Sequence, residues 1–496
     1  MYLESSFFQK THEPSRVPVK SLPSHLQHVL GRSGEVTVYS TQGEHQDENE
    51  REAYYRAFLY PTQLQSQTLD QLLAARDELS KLVGFNSFAE RALQNTMTKS
   101  PDNANKFLRL LSQQLLPMTH ADFSKMAALK QAQSPGSDLQ PWDVTYFSSV
   151  MRRNSVTTSL AEVCKYLSLG ACLDGLKLLT ERLFGITLHN VVPGPSECWH
   201  DSVYKIEVRW LEGNDVIGYI YCDLYERRGK PLQDCHFTIQ GGRLKSDGTY
   251  QIPKVVLMMN FATPSSSLPT LLTPQQLENL FHEFGHAMHS MIGRTRYQHV
   301  TGTRCSTDFA EVPSNLMEYF ASDYRVLRQF TFHHETGEPM PEEMANQIRK
   351  SKSLFLASEM QTQVFYSALD QALHSSHPLG SSTIDILSDV QKEFYGLPHV
   401  PNTAWHLRFG HLVGYGAKYF SYLMSKAIAA KIWQHSFKDD PFSRSNGERY
   451  MKEVLCHGGE KPPLEMVEAL TGVKPTIESL ADSLIEETRS AGNYAN

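Results

Sequence analysis

Two histidines four residues apart, with a glutamate following the first, give this 496-residue chain its strongest chemical signature: His282-Glu283-Phe284-Gly285-His286. In a helix, positions i and i+4 share a face, so both imidazoles can reach one metal ion. Zinc takes neutral imidazole nitrogens, and a catalytic zinc site needs three protein ligands with a fourth position open to water. Glu283 sits beside the first ligand, where its carboxylate can take a proton from that water, whose pKa a bound metal brings toward neutrality. The bland alternative is two helix-surface histidines with a neighbouring glutamate. A third ligand is expected from a second helix. Glu311, in TDFAEVPSNLMEYF, is suitably placed if it falls near a helix start, where Pro313 is tolerated; a glutamate there is also favoured by the helix dipole for structural reasons alone. Glu318 lies seven residues on, on the same face, and either orients a ligand histidine through a hydrogen bond or serves as a solvated or capping residue. His289, one turn past His286, reads as a packing or surface residue. The expected cofactor is one Zn2+ per chain held by His282, His286 and Glu311; ligand type alone leaves Mn2+ open.

The motif needs a helix, and the flanking residues specify one. Thr273-Pro274-Gln275-Gln276 combines an N-cap, a proline at the first helical position and a glutamine at the third. Leu277, Leu280, Phe281, Phe284, Met288 and Met291 then supply an apolar face. Upstream, VYKIEVRWL, DVIGYIYCDLY, DCHFTIQ and KVVLMMNFA are rich in β-branched and aromatic residues and read as about four strands of a small sheet. Elsewhere helical patterns dominate, so the fold class is mainly α with a small β-sheet. Thr68 is the expected N-cap of a helix that carries Leu69, Leu72, Leu73, Leu79, Leu82 and Val83 to a stop at Gly84. Further helices are expected near 86–97, 101–116, 119–133 and 172–184. Residues 1–52 hold three prolines and end in GEHQDENERE, which predicts a loosely structured segment. The chain then divides into a helical region over 53–200 and a catalytic region over 201–496.

Composition excludes several classes. Apolar residues make up 40% and charged residues 20%, ordinary for a folded protein, and a net charge of −7 argues against nucleic acid as a partner. Seven scattered cysteines, an odd number without a CxxC pair, read as free thiols in a reducing compartment. The longest strongly apolar stretch, Val255 to Ala262, is too short to span a bilayer. The first residues, MYLESSFFQK, make a poor targeting peptide, and these features alone point to the cytosol.

In several motifs taken together the chain resembles the thimet-oligopeptidase family of zinc metallopeptidases. LLTPQQLENLFHEFGHAMH (271–289) resembles the family's active-site helix, and DFAEVPS (308–314) its third-ligand segment. KLVGFNSFAERAL (81–93) and PWDVTYF (141–147) resemble upstream landmarks, and FGHLVGYGAKYFSYLMSKAIA (409–429) the tyrosine-rich segment that faces the metal. The likeness runs from about residue 52 to about 475. GRTRYQHVTGTRCSTDFAEVPS (293–314), with Gly416 and Phe420 in the tyrosine segment, places it nearer the family's mitochondrial branch than its cytosolic oligopeptidases. The resemblance implies a thermolysin-like zincin core inside a helical oligopeptidase fold with a deep substrate channel. It implies a monomer in the mitochondrial matrix that acts on unfolded peptide segments and removes N-terminal octapeptides from precursors after a first processing cleavage. Tyr415, Tyr419 and Tyr422, at i, i+4 and i+7, would otherwise read as packing residues. By resemblance Tyr419 and Tyr422 stabilise the oxyanion, while Tyr415 and His411 position the substrate. The substrate is expected to add as a strand to a sheet edge, with DCHFTIQ (234–240) as that edge. A general oligopeptidase and a truncated, non-catalytic family member are the competing expectations, the second because the branch has a targeting segment and a longer helical region before the matching part.

Overall fold

The structure, a computed structural model, describes residues 2–31 and 34–492. The chain forms two compact units that interleave in sequence. The first comprises Met1–Ser155, Ser351–Leu423 and Ile485–Asn496, and the second Val156–Lys350 and Met424–Leu484. The sequence division at residues 52 and 200 is linear, whereas each unit is assembled from separate stretches. Among the described residues no helix is long and apolar enough to cross a membrane.

The second unit holds a five-stranded sheet in the spatial order Ile186–Val191, Tyr204–Trp210, Val216–Tyr225, Lys254–Phe261, Cys235–Gln240. Four of these are the expected strands. The fifth, Ile186–Val191, escapes the pattern because it follows a helix, Leu169–Phe184, with Gly185 in the left-handed conformation as the sole break. Val216–Tyr225 and Lys254–Phe261 pair in parallel at the centre, and both are buried along nearly their whole length. Cys235–Gln240 pairs antiparallel with Lys254–Phe261 and forms one edge of the sheet, as expected of DCHFTIQ. Phe237 and Ile239 point outward there, 48% and 55% exposed.

Lys230 anchors the loop that leads to this edge strand. Its ammonium donates to the carbonyls of Asp223, Tyr225 and Met259 and to the Asp223 carboxylate. Asp223 also accepts from Trp199 and Arg227, so its carboxyl is held low although burial works in the opposite direction.

The helix Pro274–Ile292 begins at the predicted cap. Thr273 Oγ1 accepts the Gln276 N–H at 3.1 Å, and Gln276 Oε1 accepts the Thr273 N–H at 2.9 Å. Leu277, Leu280, Phe281, Phe284, Met288 and Met291 are all buried. The second helix, Val312–Ser322, packs along it, and Pro313 lies in its first turn, where a missing N–H costs nothing. The two helices nearly touch at Gly285. A Cβ there would fall 2.6 Å from the Pro313 carbonyl oxygen and 2.7 Å from Ser314 Cα.

The first unit corrects three sequence expectations. The described residues of 1–52 are not loose: helix Tyr2–His12 is followed by an antiparallel ribbon of Ser15–Pro18 with Glu35–Val38, and Phe7, Val17 and Leu26 are buried. The helix has a weak amphipathic pattern and the ribbon strands are four residues long, so neither shows a clear period. Thr68 is not an N-cap; the helix runs Gln63–Leu82 from Thr62, and Thr68 donates its hydroxyl to the Leu64 carbonyl inside it. The helices expected at 101–116 and 119–133 are one helix, Pro101–Gln133, continuous through Pro117. Leu111, Leu115, Met118, Phe123 and Met126 bury on both sides of the proline, and this packing outweighs its helix-breaking cost. In PWDVTYF, the fully buried Asp143 accepts from Arg51 at 2.7 Å and Lys130 at 2.5 Å.

Gly285→Ala is expected to destabilise the chain by about 1–3 kcal/mol through overpacking against backbone that cannot yield. Gly170→Ala, whose added methyl meets nothing within 4 Å, serves as the control and should leave the urea midpoint unchanged or raise it. Equal midpoints for the two variants would show that the helix pair is not in tight contact.

Candidate metal centre and catalytic residues

His282 and His286 project from one face of the helix Pro274–Ile292 toward the start of Val312–Ser322, where Glu311 sits in the residue before the first turn. Glu311 Oε2 lies 3.3 Å from His282 Nε2 and 3.0 Å from His286 Nε2. One ligand atom from each residue lies within 4.8 Å of the other two, and among the described residues this is the sole group of three metal-binding side chains so arranged. Glu318, one of two roles expected of it, holds His282 Nδ1 at 2.7 Å from its Oε1. That contact fixes the ring and leaves Nε2 as the atom offered to an ion. Ser314 Oγ donates to the Glu311 carboxylate at 3.0 Å.

The electrostatics fit a divalent cation. Burial works to lower the His282 pKa, but the carboxylates of Glu311 and Glu318 outweigh it and push the imidazole up to about 10. Burial works to raise Glu311, and the two imidazoles hold it well below the usual carboxylate range. This arrangement of carboxylates and imidazoles therefore favours positive charge at its centre, and the two-nitrogen, one-oxygen donor set suits zinc.

Glu283 is buried, 8% exposed, and burial raises its pKa above the usual carboxylate value against the pull of His286 and His282. A carboxylate with raised proton affinity is suited to general-base work near neutral pH. His289 is fully buried and packs in the interior; burial, reinforced by His286, pushes its pKa down to about 3, so it is neutral.

One neighbour of the centre was not singled out by the motif. His236, on the edge strand, lies with its ring centroid 6.0 Å from that of His286, and its Nε2 is 3.2 Å from Ser290 Oγ. Burial, then His286 and His289, push it down to about 3. At the start of the same strand Asp234 accepts from Asn279 at 2.8 Å and Asn260 at 3.1 Å. These contacts tie the edge strand to the ligand-bearing helix. The alternation in CHFTIQ marks a strand but says nothing about which helix it meets.

His411, Tyr415, Tyr419 and Tyr422 belong to the first unit, and the metal ligands and Glu283 to the second. Within the first unit the four rings form one cluster, with His411 centroids 5.9, 5.1 and 6.0 Å from Tyr415, Tyr419 and Tyr422. The tyrosines occupy a loop-to-helix edge: a short helix His411–Gly414, a turn, then helix Ser421–Ile432. Tyr419 donates its hydroxyl to Gln363 Oε1 at 2.8 Å, and burial, with the Asp370 charge, pushes its pKa up to about 12. The turn itself is held by residues no motif reveals. The Asp370 carboxylate accepts the N–H groups of Ala417 at 2.9 Å and Tyr419 at 3.0 Å. Arg76 donates to His374 Nε2 at 2.9 Å, which leaves His374 Nδ1–H facing Asp370 at 3.0 Å. Gly416 leaves room for this contact, since a Cβ there would fall 2.4 Å from Arg76 Nη1 and 3.0 Å from His374 Nε2, so the guanidinium would have to shift.

A sequence profile described as peptidase family M3 matches residues 42–485. Mitochondrial intermediate peptidase of Mus musculus is 50% identical over 487 residues, spanning 98% of this chain and 68% of that protein. The Homo sapiens protein of the same name is 49% identical over the same shares. Among solved structures, PZ peptidase A with inhibitor 2 gives a TM-score of 0.55 at 14% identity, covering 99% of this chain and 75% of that one; at this identity the likeness concerns the fold.

Removing the Glu318 carboxylate frees His282 to rotate. Glu318→Ala is expected to weaken zinc binding about 10- to 100-fold in a competition titration against a chelator. Unchanged affinity would mean the 2.7 Å contact plays no part in presenting the ligand.

Proposed function

The chain belongs to peptidase family M3, and on that premise we propose that it is a zinc endopeptidase that removes N-terminal octapeptides from imported mitochondrial precursors after their first processing cleavage. The observation that carries the chemistry is the convergence of His282, His286 and Glu311, with buried Glu283 between the two histidines in sequence. The half-identity to mitochondrial intermediate peptidases along 98% of the chain supports the substrate class and a mitochondrial location, which we take to be the matrix. In this reading the sheet and the two ligand helices form a thermolysin-like core, the protein has the deep substrate channel of its relatives, and it acts as a monomer.

A zinc ion held by His282, His286 and Glu311 would supply Lewis acidity, polarising the scissile carbonyl and lowering the pKa of water. Glu283 removes a proton from the attacking water and delivers it to the leaving amine; its raised proton affinity suits both transfers. Glu318 keeps His282 in one orientation. The edge strand Cys235–Gln240 presents unpaired backbone groups to which an extended peptide can add as a further strand, bringing its backbone past His236 beside the ligand helix. Tyr419 and Tyr422 supply phenolic donors for the developing oxyanion, and Tyr415 and His411 orient the substrate. Tyr419 donates to Gln363, so it must exchange that partner to serve the reaction.

Glu283→Gln is expected to retain about one zinc per chain by elemental analysis and to lose turnover about 10²- to 10⁴-fold. A mutant that keeps its activity would remove Glu283 from the mechanism. Tyr422→Phe and Tyr419→Phe should each lower kcat about 10²-fold or more, Tyr419→Phe at a stability cost of about 1 kcal/mol for its lost bond to Gln363; full turnover in Tyr422→Phe withdraws that residue's role. On the wild type, cleavage of an octapeptide-bearing intermediate far faster than unrelated short peptides supports the processing assignment, and equal rates favour a general oligopeptidase.

A further inference from the structure

The edge strand does not end in open surface. Beyond Gln240 the chain continues as Gly241-Gly242 into a two-stranded ribbon, Arg243–Leu244 with Tyr250–Gln251. The segment that leaves the ligand helix, Arg294 to Val300, packs against it: the Leu244 N–H donates to the Arg296 carbonyl, and a Cβ on Gly241 would lie 3.1 Å from the Gln298 carbonyl oxygen. Between the two segments lies a cleft of about 530 Å³ lined by Arg243, Lys245, Arg296, His299, Tyr297 and their neighbours, with no carboxylate among the lining residues. In a chain of net charge −7 such a concentration of cations stands out. Two acids border the cleft, and both already accept hydrogen bonds. Asp247 accepts from the Thr249 hydroxyl and N–H at 2.7 and 2.9 Å, and the Glu460 carboxylate accepts the Arg296 backbone N–H. Tyr297 and Leu244 are 59% and 48% exposed beside these cations.

We propose that this cleft is an anion-selecting subsite that takes an acidic side chain of an extended peptide four to six residues from the scissile bond. The proposal rests on the peptidase reading and on strand addition at Cys235–Gln240, and it deepens both by naming what the far end of that strand selects. The distance follows from strand geometry. His236 lies beside ligand His286, and four residues separate it from Gln240, a span of about 13 Å at strand rise. A peptide paired along the strand therefore passes the metal ligands and reaches Gly241, next to the cleft lined by Arg243, about five residues later. Arg243 and Arg296 present planar guanidinium groups suited to a carboxylate. A solvent-open site of this kind selects modestly and loses its effect in salt.

The test uses the full chain loaded with zinc and a quenched-fluorescence peptide of neutral, extended sequence with one cleavage site. Glutamate is placed singly at each of positions two to seven on either side of the scissile bond. Glutamate four to six residues away on one side should lower KM about fivefold with kcat unchanged. The effect should disappear in Arg243→Ala/Arg296→Ala and in 0.5 M salt, where the Debye length falls to about 4 Å. The double variant should cleave the neutral parent peptide as wild type does. Cleavage of the parent without a glutamate effect at any position, or an effect that survives the double variant, overturns the subsite and leaves the peptidase reading intact. Anisotropy of the same labelled peptides on Glu283→Gln judges the cleft without turnover. Tighter binding of the favoured glutamate peptide than of the parent, lost in the double variant background, supports the subsite even if the wild type cleaves nothing; equal binding overturns it.

Discussion

The contact of two helices at Gly285 sets the geometry of the candidate metal site. Histidines four residues apart need only a helix to share a face, but a third ligand must arrive from elsewhere in the chain. It arrives because the helix Val312–Ser322 approaches until Pro313 and Ser314 backbone atoms occupy the space a side chain at 285 would fill. Glu311 immediately precedes that contact, so its carboxylate is delivered within 3.0–3.3 Å of both imidazole Nε2 atoms. Seven residues further on, the same helix delivers Glu318 to the far side of the His282 ring. One close approach thus brings both Glu311 and Glu318 against the two histidines.

Such a site concentrates charge on half-buried side chains, and the neighbouring histidines answer with neutrality. Isolated buried charge is costly, and unpaired imidazolium near a cation would be worse. His236 and His289 flank His286 and are both held neutral, chiefly by burial. The carboxylates, by contrast, are each given a counterpart, with Glu318 also 3.5 Å from Lys426 Nζ. Glu283 stands between these regimes: its burial raises proton affinity while the neighbouring imidazoles restrain the rise. A base is useful when it can both accept and release a proton near working pH, and that balance comes from desolvation set against nearby positive charge.

The ligand helix was legible in sequence because every level of its description agrees. Cap, proline, capping glutamine, apolar periodicity and motif all specify the same residues, and Thr273 to Ile292 fold accordingly. Glu311 and Glu318 could be read because a single segment carries both. DCHFTIQ reads as a strand, but its place at the edge is set by pairing with strands distant in sequence and has no signal of its own. What could not be read depends on contacts far apart in sequence. His236 meets the ligand helix across 50 residues of chain, from 236 to 286. Asp370 looks like any polar residue in a helical pattern until the turn at Ala417 folds onto it. The N-terminal helix and ribbon gain their order from burial of single residues such as Phe7 and Val17, which leave no period behind. Pro117 signals a break that packing along Pro101–Gln133 overrides.

The tyrosine turn shows how a backbone shape can be held by a missing side chain. Ala417 adopts φ 61°, a left-handed conformation that costs a residue with a Cβ about 1 kcal/mol or more. The conformation persists because the Asp370 carboxylate collects the N–H groups on both sides of Lys418, and Gln371 donates to the Ala417 carbonyl at 2.6 Å. Asp370 is 1% exposed, and His374 Nδ1 lies 2.9 Å from its main-chain carbonyl and 3.0 Å from its carboxylate, while His374 Nε2 accepts from Arg76. That pair fits because residue 416 is glycine. The missing side chain at 416 therefore admits the arginine, the arginine fixes the histidine tautomer, the histidine supports the aspartate, and the aspartate shapes the turn that presents Tyr419. A side chain at 416 would act on Tyr419 without touching it, by displacing a guanidinium three links away.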